Sequence, residues 1–143
     1  DPDPRARESI AAWKDMAAIT NMDAPLALDA ADPSTWPEGR VNAILCINMI
    51  HIAPWAASEG LMAGAERLLD LGGTLILYGP FIEAEVPTAP SNAAFDEDLR
   101  RRDPAWGLRD LAEVSMLARR HGLFLSERIP MPANNILVVF EKD

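Results

Sequence analysis

Fifteen residues, Val41 to Trp55 (VNAILCINMIHIAPW), constrain the fold more than any other part of the chain. The run Val41–Ile47 has the length of a strand, is rich in β-branched residues and lacks apolar–polar alternation, which suits a parallel strand covered on both faces. It then breaks into Asn48, His51, Pro54 and Trp55. Open parallel sheets bind ligands outside the carboxyl ends of their strands, so Asn48, Met49 and His51 stand where chemistry is expected. A lone histidine after an apolar strand is also commonly a hydrogen-bonded structural residue, and both readings stay open.

The neighbouring segments extend the pattern. A helix is expected over Ser58–Asp70, with Leu61, Ala65, Leu68 and Leu69 as its apolar stripe, Ser58 as its cap and Gly72-Gly73 as its end. Thr74–Tyr78 (TLILY) then reads as a second buried strand stopped by Gly79-Pro80, giving a right-handed parallel βαβ unit. Upstream, Ile10, Trp13 and Ala17 lie at helical spacing within Arg5–Ala18, and Ala24–Leu28 (APLAL) reads as a short strand before the turn Asp32-Pro33-Ser34. Downstream, Phe81–Pro90 is expected as a long loop, followed by a helix over Asn92–Arg102 capped by Ser91 and burying Phe95 and Leu99. Asp110 with Glu113 resembles a capping box for a helix carrying Leu111, Val114, Leu117 and Ala118, ended by Gly122. Leu123–Arg128 and Ile136–Glu141 are joined too closely for a crossover and should pair antiparallel. The fold class is therefore α/β, a mostly parallel sheet finished by one antiparallel strand.

At 143 residues the chain is one domain's worth. Its net charge is −9, and the segment 96–120 does not contribute, because six acids there face six arginines. The only basic cluster, Arg100–Arg102, lies among Asp96, Glu97, Asp98 and Asp103, so a nucleic-acid partner is not expected. Cys46 is the single cysteine, which excludes an intrachain disulfide and a thiolate metal cluster; no metal site is expected. No run approaches the roughly 18 apolar residues of a membrane span, and the expected location is cytoplasmic.

The stretches NMIHIAPW (48–55), LYGPF (77–81), TAPSNAAFD (88–96), RDPAWGLRD (102–110) and MPANN (131–135) resemble those of a methyltransferase-like family, similar to the methyltransferase-like twenty-six group. The layout likewise resembles the Rossmann-like class I S-adenosylmethionine-dependent methyltransferases. The resemblance implies S-adenosylmethionine as cofactor. It makes Asp1 the acid that accepts from the ribose hydroxyls, for which two carboxylate oxygens suit a vicinal diol. It makes Asp29-Ala30 the pair that meets the adenine, and places Asn48 and Met49 beside the methionine part of the cofactor. His51 falls at the methyl-transfer site, where its near-neutral pKa suits a general base. Trp55, Tyr78, Phe81 and Asn92 would shape the acceptor pocket, with Asn134 lining it from the C-terminal loop.

One departure from the family pattern is large: no glycine-rich turn follows a first strand, since no G-x-G occurs and Gly72-Gly73 precedes a strand instead of following one. The expectation is that the chain is the C-terminal part of a single methyltransferase-like domain. Val41–Ile47 would then present an open edge, covered by dimerisation or by closing Ala24–Leu28 onto it, and this chain alone would bind cofactor weakly. Methyl transfer to a small or peptidic acceptor is the leading function. The alternative is a non-catalytic methyltransferase-like module that binds protein; a nicotinamide-dinucleotide oxidoreductase is weaker, lacking its glycine fingerprint.

Overall fold

The computed structural model describes all residues, Asp1–Asp143. Helix α1 (Pro4–Met16) opens the chain, and strand β1 (Val41–Ile47) leads through a 3-10 turn, Met49–His51, into helix α2 (Trp55–Leu68). Strand β2 (Leu69–Gly79), the two-residue strand β3 (Phe81–Ile82) and helix α3 (Pro90–Arg102) follow. A short strand β4 (Arg109–Asp110), helix α4 (Leu111–Arg120) and strands β5 (Leu123–Met131) and β6 (Asn135–Lys142) complete it.

The main sheet has the order β1-β2-β6-β5, and β3 and β4 form a separate parallel pair. β1 and β2 are parallel, while β6 runs antiparallel to both β2 and β5. Three strands of the main sheet therefore share one direction and only β6 opposes them, the α/β arrangement expected from the βαβ unit and the closing hairpin. Asp110 caps α4 as its spacing suggests, accepting from the backbone of Ala112 at 2.7 Å and Glu113 at 3.2 Å.

The core lies where α2 and α4 cover one face of the sheet. Leu61, Met62 and Ala65 of α2 and Val114, Leu117 and Ala118 of α4 pack with Leu75 and Leu77 of β2 and Val138 and Phe140 of β6. Along β2 from Gly73 to Gly79 every second residue is buried and the others are half-exposed. The sheet is thus covered on one face, not two. β1 is an edge strand pairing only with β2, and Leu45 and Ile47 stay 61% and 57% exposed despite their apolar side chains.

Other expectations are corrected by local chemistry. Ala24–Leu28 forms no strand: Pro25 has no N–H to give a ladder, and the nearest approach to one is a single 3.0 Å bond from the Asp1 ammonium to the Leu26 carbonyl. It therefore does not close onto β1. Helix α2 begins three residues before Ser58, directly after Pro54, which stands at its N-cap in an extended conformation (φ −59°, ψ 157°). Ser58 is buried inside α2 and its hydroxyl has no partner, so it is no cap. Gly72-Gly73 does not end the helix but lies within β2, where the pairing jumps from Val41↔Leu69 to Ala43↔Thr74 and Gly72 takes φ +73°. α3 starts at Pro90, not after Ser91. Leu99 of α3 is buried while Phe95 is partly exposed, and the apolar face of α1 is not buried at all, Trp13 being 65% exposed.

Candidate functional site

The chain turns sharply at the carboxyl ends of β1 and β2. Asn48 adopts a left-handed conformation, φ 57°, which asparagine tolerates, and its N–H donates to the Tyr78 carbonyl at 2.8 Å. The 3-10 turn that follows sends Met49 and His51 in different directions. Three distant groups hold this turn through its carbonyls. Arg109 donates from Nε to Ile50 at 2.9 Å and from Nη2 to Ala53 at 2.7 Å, and the Gly107 N–H donates to His51 at 2.9 Å. Gly107 has φ +144°, a conformation that favours glycine, and a β-carbon there would sit 2.7 Å from Asp96 Oδ1.

His51 is fully enclosed. Its ring stands edge-on to Phe81, with centroids 5.0 Å apart and planes at 80°. Neither ring nitrogen has a hydrogen-bond partner, and neither has Asn48 Oδ1. Both Asn48 Oδ1 and His51 Nε2 lie 2.7 Å from the point where a β-carbon on Gly79 would sit, so the absence of a side chain at Gly79 lets them converge. Burial disfavours the imidazolium, and the nearby Arg109 guanidinium adds to that, so the His51 pKa falls to about 4. The imidazole is neutral at physiological pH.

One cavity borders the turn, and a second is linked to it through Phe81. The first, about 340 Å³, is walled by Asp1, Pro2, Leu28, Asp29, Ala30 and Met49 together with Ile52, Ala53 and Ala57. Four of the residues expected to hold a cofactor, Asp1, Asp29, Ala30 and Met49, thus meet over one space. Asp29 Oδ1 accepts from the Ala31 N–H at 2.9 Å, and its other oxygen accepts nothing within the chain. The Ala30 carbonyl accepts from Trp36 Nε1 at 3.2 Å, and the Ala30 N–H makes no bond within the chain. Free carboxylate acceptors, a free amide donor and apolar walls from Leu28, Met49 and Ile52 fit a nucleoside, which presents donors, acceptors and a flat apolar ring. Asn48 does not line this cavity.

The second cavity, about 220 Å³, gathers Phe81, Asn92 and Asn134 with Glu83, Thr88 and Arg128 among its walls. Asn92 Nδ2 donates to the Asn134 carbonyl at 2.9 Å, tying α3 to the β5–β6 connection. Arg128 grips Glu83 with two bonds, 2.7 and 3.1 Å. Trp55 is not here. It lines a separate space with Glu59, Arg109 and Glu113, where the Arg109 guanidinium lies 5.7 Å from its ring. Tyr78 lines neither cavity and sits within the sheet, between Ile47 of β1 and Leu137 of β6.

The sequence reasoning missed Gly79, Gly107 and Arg109. All three fall in stretches that carried the family resemblance, LYGPF and RDPAWGLRD, but their contacts with the segment Asn48–Ala53 reach across 28 to 59 residues of chain and no local pattern reports them.

The fold is that of the O-methyltransferases. The structure superimposes on an O-methyltransferase family protein from Burkholderia thailandensis with a TM-score of 0.83 at 14% identity, over 98% of this chain and 42% of that one. It matches the mitomycin 7-O-methyltransferase MmcR with a TM-score of 0.82 at 18% identity, over 98% and 40% of the two chains. It also matches CalO1, a methyltransferase of calicheamicin biosynthesis in an SAH-bound form, with a TM-score of 0.62 at 14% identity, over 73% and 31%. The chain spans about two fifths of the length of the first two. Residues 1–142 match the family described as protein of unknown function (DUF938), and the chain belongs to it.

Proposed function

We propose that the protein transfers a methyl group from S-adenosylmethionine to a small-molecule or peptidic acceptor. The observation that carries this reading is the convergence of Asp1, Asp29, Ala30 and Met49 on one cavity of about 340 Å³ just beyond the carboxyl end of β1. The O-methyltransferase fold and the SAH-bound state of CalO1 are in keeping with it. The finer placement, in the methyltransferase-like twenty-six group, rests on the five stretches between Asn48 and Asn135.

In this reading the bound cofactor supplies an electrophilic methyl group on a sulfonium, and the protein's task is to align an acceptor with it. Asp1 accepts from the ribose hydroxyls, Asp29 from the adenine amino group, and the Ala30 N–H donates to the ring. Met49 borders the methionine part. Phe81, Asn92 and Asn134 form the acceptor cavity, reached from the same turn because His51, two residues beyond Met49, packs on Phe81. His51 would be the group facing the acceptor's proton, uncharged at physiological pH and, because burial and Arg109 disfavour its imidazolium, a weak base in this enclosed state. His51 lines neither cavity and meets the acceptor cavity through Phe81, on which its ring packs.

S-adenosylhomocysteine production by the intact natural protein, screened over amine, hydroxyl and peptide acceptors, tests the reaction. His51→Ala is expected to lower kcat with little change in cofactor affinity. Loss of thermal stability with unchanged kcat would make His51 a structural residue. A second reading, a non-catalytic module that binds protein, is favoured by the exposed apolar edge of β1. Cofactor binding without turnover on any acceptor class would support it.

A further inference from the structure

The loop Asp29–Trp36 meets α2 at two glycines. A β-carbon on Gly60 would lie 1.8 Å from the Ala30 carbonyl oxygen, 2.8 Å from its carbon and 3.1 Å from the Ala31 α-carbon. These are backbone atoms, so no side-chain rotation could relieve the overlap. One helical turn on, a β-carbon on Gly64 would meet the Trp36 indole at 2.5 Å. The same indole donates from Nε1 to the Ala30 carbonyl at 3.2 Å. Ala57, Gly60 and Gly64 share one face of α2 by their i, i+3, i+7 spacing, and Ala57 is itself a wall of the cavity that holds Asp29 and Ala30.

We infer that Gly60, Gly64 and Trp36 are positioning residues for adenine recognition: they seat the Ala30 peptide against α2 and so fix where Asp29 and the Ala30 N–H meet the base. The inference rests on the proposed reading of the cavity as a cofactor site. Hydrogen bonds weaken steeply as distance and angle depart from ideal, so a loop lifted off α2 by a methyl group loses base recognition first. None of the three residues lines the cavity, and their effect is exerted through Ala30.

The test measures affinity of the intact natural protein for two probes, S-adenosylhomocysteine and S-inosylhomocysteine. The second replaces the 6-amino donor of adenine with an oxygen and turns N1 into a donor, so it removes the partners of both Asp29 and Ala30. The wild type is expected to prefer the adenosyl probe. Trp36→Phe deletes the indole donor together with the benzo-ring atoms that meet Gly64, so it frees the Ala30 carbonyl without adding bulk, and should bind the adenosyl probe about 3–10-fold less tightly while the inosyl Kd stays unchanged. Gly60→Ala should narrow the preference further. Should Trp36→Phe not fold, Gly64→Ala, which displaces the indole by bulk, is read by the same ratio. Equal weakening for both probes, or no weakening in a folded variant, overturns the inference while leaving the methyltransferase reading intact. A wild type that binds neither probe overturns that reading, and the inference with it.

Discussion

His51 is where residue-scale chemistry is most exposed to test. Its native pKa of about 4 lies below the ordinary 6.5, chiefly because burial disfavours the charged ring. Between those values the unfolded chain binds a proton that the folded chain refuses, so stability falls as pH drops from 6.5 to 4 and levels below. The full effect is of the order of 3 kcal/mol. Urea unfolding across this range should show the loss in wild type, and His51→Gln, which does not titrate, should show a smaller slope; parallel profiles would contradict the assigned burial. Gly79→Ala is a second test of the same knot. Its methyl would fall 2.7 Å from Asn48 Oδ1 and His51 Nε2, and overpacking of this kind costs about 1–3 kcal/mol. A midpoint equal to wild type in chemical denaturation would show that the turn has more room than its contacts allow.

At the scale of elements, sequence periodicity served best where a helix or strand signals itself locally. The Asp110 cap, the α4 stripe and the β5–β6 hairpin needed only short-range information. Asp110→Ala should therefore cost about 1 kcal/mol, as removal of a good cap does, measurable as a lowered unfolding midpoint; no change would mean α4 is held by packing alone. Ala24–Leu28 misled because apolar composition cannot supply a ladder partner. Ser58 misled because Pro54 starts α2 a turn earlier and carries the serine inside. The double coverage expected for β1 also failed, since its apolar run reports what could be buried and not what lies beside it. Alternate amides of β1 in this 143-residue chain should exchange hydrogen rapidly, whereas β2, flanked by β1 and β6, should be protected. Uniform protection of β1 would mean that its free edge is covered in solution.

For the whole molecule, the sheet order and the β1–α2–β2 crossover bring residues far apart in sequence onto one rim. That is why Asp1, Asp29, Ala30 and Met49, read as a set through family resemblance, share a cavity, and why Phe81, Asn92 and Asn134 share another. The resemblance also implies Trp55 and Tyr78 as acceptor residues, but α2 turns Trp55 towards Arg109 and the sheet holds Tyr78 in its ladder. Arg109 was invisible for the converse reason: its role is set by the Ile50 and Ala53 carbonyls, more than fifty residues away in the chain. The central claim is that the first cavity holds the adenosyl group. Calorimetric titration of S-adenosylhomocysteine into the intact natural protein and its Asp29→Ala variant tests this most directly. Saturable binding weakened by about 1–3 kcal/mol in the variant is the expected result, the usual cost of an unpaired polar partner. Absence of binding to wild type, or equal affinity in the two proteins, would contradict it.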